Sequence, residues 1–198
     1  MSDADEKHSL LRAATDSCRE CPIGFHATRS VIGEGPLKAK MMLVGEQPGD
    51  AEDLQGRPFV GPAGRLLDRA LAQLGWSRDS VYVTNAVKHF KFELRGKRRL
   101  HKTPTRGEAA ACLHWLEDEI DLVQPSMIVA LGATAARSLM GRTVAVMSER
   151  GKCLTRGDGR RVLVTLHPSA LLRALPEERE AAFEAWVRDL AQAAEFAG

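Results

Sequence analysis

The chain has 198 residues, of which 44% are hydrophobic and 27% charged, a balance that suits one globular domain over residues 1–198 with a sizeable core. Its longest apolar run, Met127 to Ala136, is half of the roughly 20 residues that a membrane span requires, which excludes a membrane-spanning protein. The opening stretch MSDADEKHSLLRAATDS carries acidic residues and no apolar core, so no export signal is read there and a cytoplasmic location is expected.

Lys40 to Val44 (KMMLV) is predicted as a buried strand, followed by a loop from Gly45 to Gly61. Ala63 to Leu74 reads as a helix, with Leu66, Leu67, Ala70, Leu71 and Leu74 on one face and Gly75 as its stop. Val81 to Thr84 (VYVT) is a second strand, and a long basic loop follows it. Thr105 opens a helix through a T-x-x-E capping box completed by Glu108, running to about Val123 ahead of Pro125. Met127 to Leu131 (MIVAL) is a third strand, with Gly132 and a short helix after it. Thr143 to Gly159 is turn-rich, with room for a hairpin, and Val162 to Leu166 (VLVTL) is a fourth strand. The last helix begins near Pro176 and reaches about Phe196. Unbroken apolar strands separated by helices imply an α/β fold, a three-layer α/β/α arrangement around a central four-stranded parallel sheet. In such sheets ligands bind beyond the carboxyl ends of the strands, where GEQPGD, TNAVKH and HPS all fall.

The net charge of +2 says little about partners, but its distribution says more. Lys88, Lys91, Arg95, Lys97, Arg98, Arg99, Lys102 and Arg106 are opposed only by Glu93, so this segment carries +7 and the remainder −5. A concentrated positive segment suits a phosphate backbone, although a charge run alone is more often a solvated loop. The interleaved Phe90 and Phe92 tilt the balance toward nucleic acid. Cysteines in a reducing compartment are poor candidates for structural disulfides, and Cys18 and Cys21 form a C-x-x-C that needs two further ligands. Cys112 is one candidate. Counting cysteines offers Cys153 as the other, and His89 competes with it.

The first loop holds four carboxylates between Glu46 and Asp53, and Gly56 to Gly64 (GRPFVGPAG) follows it. It lacks the Gly-Lys-Ser/Thr ending of a P-loop. A turn-forming loop of solvated acids is the plain alternative, but acids beside a basic DNA-binding loop would repel phosphate unless the negative charge served a purpose. Breaking an N-glycosidic bond provides one. Positive charge builds on the sugar, where a carboxylate helps, and negative charge builds on the departing base, where a hydrogen-bond donor helps. The base must also be flipped out, stacked on an aromatic ring and read by an amide. Glu46, Phe59, Asn85 and His167 supply those parts from four separate segments.

The segments GEQPGDAEDLQGRPFVGPAGRLLDRAL, VYVTNAVKHFKF, KRRLHKTP and HPSALLR resemble the uracil-DNA glycosylase superfamily. More narrowly they resemble its iron–sulfur branch called UdgX, close to family 4, with KRRLH pointing to that branch. The resemblance implies that Phe59 stacks on the flipped uracil and that Asn85 pairs with its O4/N3 edge and rejects cytosine. It implies that His167 donates to O2 of the leaving base, that Gln47 and Asp50 line the pocket floor, and that Glu46 favours the cationic sugar or orients a nearby histidine. His101 would be the nucleophile that bonds to C1′, with Lys97, Arg98, Arg99 and Lys102 meeting phosphates. The ligands it implies are Cys18, Cys21, His89 and Cys112, around a structural [4Fe–4S] cluster. Three thiolates and an imidazole suit zinc equally on donor chemistry alone. Taken singly, each residue has a plain alternative: Phe59 as core, Asn85 as a turn residue, His167 as a satisfied histidine, His101 as a DNA contact. Uracil-containing DNA is the expected partner and free uracil the product, for a monomer with no membrane contact. Two alternatives stand beside the adduct-forming enzyme: an ordinary glycosylase that turns over, and a noncatalytic metal-containing DNA-binding protein.

Overall fold

The computed structural model describes residues 2–196. Helix α1 (Asp3–Asp16) starts at a capping box in which the Ser2 hydroxyl accepts from the Asp5 amide and the Asp5 carboxylate accepts from the Ser2 amide. The strands β1 (Met41–Gly45) and β2 (Tyr82–Asn85) bracket helices α2 (Asp50–Gln55) and α3 (Pro62–Gln73). The segment after β2 is not the loop expected from its charges. It folds into an antiparallel hairpin, β3 (Phe92–Arg95) with β4 (Arg98–His101), turning at Gly96 with a φ of 61°. Phe92 and Leu94 alternate with Glu93 and Arg95, a strand period the charges obscure.

The Thr105 capping box forms as predicted, with the Thr105 hydroxyl accepting from the Glu108 amide. The helix it opens is interrupted at Cys112, giving α4 (Arg106–Ala111) and α5 (Leu113–Val123). Strand β5 (Met127–Leu131) then leads into α6 (Ala133–Met140) and α7 (Val146–Glu149). The turn-rich segment contributes one strand, β6 (Cys153–Thr155), which pairs with the predicted fourth strand β7 (Arg161–Thr165), followed by α8 (Pro168–Leu172) and α9 (Arg179–Phe196).

The central sheet has five strands in the order β2-β1-β5-β7-β6, not four. The four predicted strands are mutually parallel, and β6 adds an antiparallel edge beside β7. Alternate side chains enter two cores. Leu43, Val83, Val129 and Leu163 face α3 and α9, packing with Leu67, Leu71 and Trp186. Met42, Val44, Ile128 and Val164 meet Leu116 and Ile120 of α5 on the other face. Both faces being covered explains why these strands read as unbroken apolar runs. Among the described residues, no helix is long and apolar enough to cross a membrane.

Candidate active site and metal centre

A pocket of about 430 Å³ opens at the carboxyl ends of β1, β2 and β7 and gathers Gln47, Asp50, Phe59, Asn85, His101 and His167 in its walls. Asn85 ends β2 directly beside Gly45 of β1. Its side chain is buried, and its Oδ1 has no hydrogen-bond partner. An unpaired buried amide oxygen is costly in a folded protein, so this one is set to accept from a ligand. A Cβ on Gly45 would lie 2.4 Å from that oxygen and 2.6 Å from Cζ of Phe59. Glycine at that point lets both side chains close over the strand end.

Phe59 is buried and holds a φ of 54°, a left-handed backbone that costs a bulky residue about 1–3 kcal/mol. The turn around it is fixed by Gly64, whose Cβ would fall 1.8 Å from the Phe59 carbonyl oxygen. Glu52 secures the same turn from within α2, accepting from the Gly61 amide at 2.8 Å and the Gly49 amide at 3.1 Å.

His167 caps α8. Its Nδ1 accepts from the Ser169 amide at 3.2 Å and lies 2.8 Å from the Ser169 hydroxyl. A backbone amide can only donate, so in the neutral ring Nδ1 is the acceptor and the proton sits on Nε2. Burial, then the charges of His101 and Arg173, push this histidine down to about 4, so it is a neutral donor at physiological pH. The Phe59 and His167 rings lie 6.0 Å apart, centre to centre.

Glu46 follows β1, with its Oε1 3.5 Å from Nε2 of His101 at the end of β4. Its Oε2 accepts from the hydroxyl of Thr134 at 2.6 Å, a contact from α6 that the sequence did not reveal. Gln47 lines the pocket, but its side chain is spent on the hairpin: its amide nitrogen donates to the carbonyls of Lys91 and Lys102, and its Oε1 accepts from the Lys91 amide. Asp50 also lines the pocket, yet its carboxylate receives Arg99 Nε at 2.5 Å.

The basic segment is less available than its charge count implies. Arg99 binds Asp50 and the fully buried Asp53 and lies against the Phe90 and Phe92 rings, so its guanidinium anchors the hairpin instead of facing phosphates as expected. Lys88 is completely buried against Glu119, Lys91 pairs with Glu108, and Lys102 with Glu93. Lys97 and Arg98 stand exposed at the hairpin tip, with no ion pair found for either among the described residues.

Cys18, Cys21, His89 and Cys112 line one small cavity, together with Gly24, whose Cβ would fall 2.5 Å from the Cys18 carbonyl oxygen. Cys112 sits at the break between α4 and α5, and its sulfur accepts from the Lys88 amide. The Cys18 sulfur accepts from the Trp115 indole. His89 is buried with its Nε2 unpartnered, and burial lowers its pKa, keeping the ring neutral. Cys153 lies elsewhere, on β6 against the first core. Among the described residues, no three His, Cys, Asp or Glu side chains converge tightly enough for one metal ion. Three cysteine sulfurs and a buried imidazole with an unpartnered Nε2 around one cavity form a donor set that suits either an iron–sulfur cluster or zinc.

The fold is a doubly covered α/β sheet with a pocket at the carboxyl ends of its strands, and the comparisons name the family. Residues 32–191 match the uracil DNA glycosylase superfamily. A type-4 uracil-DNA glycosylase of Thermotoga maritima is 39% identical over 174 residues, covering 87% of both chains. Another of Pyrobaculum aerophilum is 38% identical over 178 residues, covering 86% of this chain and 85% of its own. A type-5 uracil-DNA glycosylase of the same organism is 34% identical over 161 residues, covering 72% and 67%. The chain belongs to the uracil-DNA glycosylase superfamily and is type-4-like within it.

Proposed function

We propose that this uracil-DNA glycosylase takes a flipped uracil into the pocket between Phe59 and Asn85, cleaves its N-glycosidic bond, and then bonds His101 to C1′ of the abasic sugar. The single observation that carries the capture is the position of His101: it lines the pocket that holds Asn85 and His167, with Nε2 3.5 Å from the Glu46 carboxylate. The Asn85 oxygen is the acceptor for uracil N3–H, and the Asn85 NH₂ suits O4. Cytosine places a lone pair and a donor at those points, so it meets both groups wrongly. As the C1′–N1 bond breaks, its electron pair leaves on uracil, whose O2 takes a hydrogen bond from Nε2–H of His167. Glu46, held by Thr134, faces the cationic sugar. The lone pair of the unprotonated His101 ring nitrogen then forms the bond to C1′, the resulting imidazolium releases its single N–H proton to solvent, and the uracil anion takes a proton from water.

A second reading is an ordinary type-4-like glycosylase, in which water attacks C1′ and His101 only touches DNA. The comparisons favour it, since relatives 39% and 38% identical bear the type-4 name. A denaturing gel on uracil-containing DNA separates the two. A band that survives denaturation supports capture; free abasic product alone supports turnover.

Because burial, then the charges of His101 and Arg173, disfavour the protonated His167 ring, the acid limb of uracil release due to this residue should lie near 4, not near the ordinary 6.5. The corresponding cost to stability is absent above 6.5, grows as pH falls and is complete below 4. A single-turnover pH profile checks this, and a limb at the ordinary histidine value would contradict the neutral-donor role.

A [4Fe–4S] cluster on Cys18, Cys21, His89 and Cys112 would tie the N-terminal segment, the exit of β2 and the α4–α5 junction together. The chemistry it supplies there is structural cross-linking. The purified protein should be brown, and Cys153→Ser should leave iron content unchanged. A colourless zinc protein with full activity, or loss of metal in Cys153→Ser, would overturn the assignment.

Phosphate contact falls to Lys97 and Arg98 in this reading, with Lys102 contributing less. Arg98→Ala should reduce the slope of log K against log salt by ~1. Arg99→Ala should instead lower the melting temperature, because it leaves Asp53 buried without its cation. Equal effects of the two substitutions on salt dependence would show that Arg99 also meets DNA.

A further inference from the structure

The mechanism leaves one group of buried charges unused. Lys88 and Glu119 are both completely buried, and their Nζ and Oε2 lie 2.5 Å apart. Glu119 also accepts from the Gly33 amide, the Tyr82 hydroxyl and the Thr84 hydroxyl. Lys88 Nζ donates to the Thr84 hydroxyl at 3.0 Å and to the main-chain carbonyl of Asn85 at 2.6 Å. Replacing a buried ion pair by apolar side chains is often harmless or stabilising, so stability alone is a weak reason for this one. Its placement supplies a better reason. The ammonium grips the carbonyl side of the Asn85–Ala86 peptide, whose amide side donates to the Gly45 carbonyl of β1 at 2.9 Å, so the residue whose unpaired Oδ1 faces the base pocket is clamped from both sides.

We infer that Lys88, anchored by Glu119, is a positioning residue for Asn85: its bond to the Asn85 carbonyl completes the clamp that Gly45 begins on the Asn85–Ala86 peptide and thereby sets the aim of the base-reading amide. The inference rests on Asn85 reading the base, as proposed above. Without the ammonium this peptide keeps only its Ala86 N–H bond to Gly45 and its carbonyl is left buried without a donor, and a misplacement of about 1 Å in a reading group can cost about a hundredfold in rate. Binding of the DNA strand depends on other surfaces, so affinity should not follow. Lys88 also carries the amide that meets Cys112 Sγ, but that bond belongs to the main chain and survives a change of side chain.

The test compares two variants of the metal-loaded full chain. Lys88→Met with Glu119→Gln removes both charges together, which avoids a stranded carboxylate and keeps a buried polar group for Gly33 and Tyr82. Glu119→Gln alone removes the ion pair but leaves an amine to hold the Asn85 carbonyl. Three quantities are read: single-turnover uracil release at saturating enzyme, affinity for the same DNA lacking uracil, and visible absorbance of the cluster. The double variant should release uracil at least about tenfold more slowly than wild type, with affinity and absorbance unchanged, and Glu119→Gln should lose clearly less. The inference is overturned if the double variant keeps the wild-type rate, if both variants lose rate equally, or if affinity falls in step with rate. Failure of the wild-type chain to release uracil would instead sink the glycosylase reading itself, so the two failures are distinct.

Discussion

His101→Ser is expected to abolish the denaturation-resistant adduct while uracil release remains measurable. The order of events requires it. Cleavage leaves an electrophilic sugar facing Glu46, and the nucleophile acts after most of the barrier has been crossed. His101 stands in the pocket wall beside that carboxylate, so under the proposed capture its effective concentration would exceed that of water by orders of magnitude and it would react first. Serine is shorter and leaves room for a water, which attacks the same carbon and gives an ordinary abasic site. The pair of readouts is the adduct band and the alkali-cleavable product. An adduct that persists in His101→Ser would place the nucleophile elsewhere, and a wild-type chain that forms none would leave the turnover reading as the correct one.

Asn85→Asp is expected to collapse the preference for uracil over cytosine, with a large loss of uracil release besides. The side chain is 2% exposed and its Oδ1 has no internal partner, so its only recognition is of the ligand. A carboxylate offers acceptors at both positions and no donor for O4. A site built to hydrogen-bond its substrate discriminates by about 10⁴ or more, and most of that rests on the partner removed here. The ratio of single-turnover rates on uracil and cytosine is the informative quantity, because the absolute rate also reports folding. An unchanged ratio would mean that Asn85 does not read the base.

Both expectations rest on residues that could be found without coordinates, and the reasons are physical. Strands β1, β2, β5 and β7 are buried on both faces, so each left an unbroken apolar run with a polar segment at its carboxyl end. Asn85, Glu46 and His167 were visible because the parallel topology delivers those ends to one edge. The capping box at Thr105 was visible because it is local. Elements whose stability comes from distant contacts were harder. The β3–β4 hairpin looks like a charged loop until Gln47, 44 residues away from Lys91, is seen clamping its base. Helix α2 hid among turn-forming acids, although Gly56 at its end, with a φ of 70°, was a stop signal in plain view.

Charge was the most misleading property. Lys88 to Arg106 counts as +7 in the chain, but Lys88, Lys91, Arg99 and Lys102 each meet a carboxylate. Glu119 is 31 residues from Lys88, and Asp53 is 46 from Arg99, so no local pattern announces either pair. Thr134 is a further case. A threonine after a strand carries no signal of its own, and only the folded chain brings it to Glu46. Cys153 shows the converse, since a cysteine count favours it while the fold sends it to β6 and puts His89 in the wall of the cavity lined by the other three cysteines.

The central claim is tested most directly by incubating the full chain with an oligonucleotide carrying a single uracil and assaying released uracil alongside a denaturing gel. Free uracil should appear up to one equivalent per protein, with a matching protein–DNA band that survives denaturation. Binding of the oligonucleotide with no release of uracil would contradict the account, leaving a DNA-binding protein that carries the pocket without its chemistry.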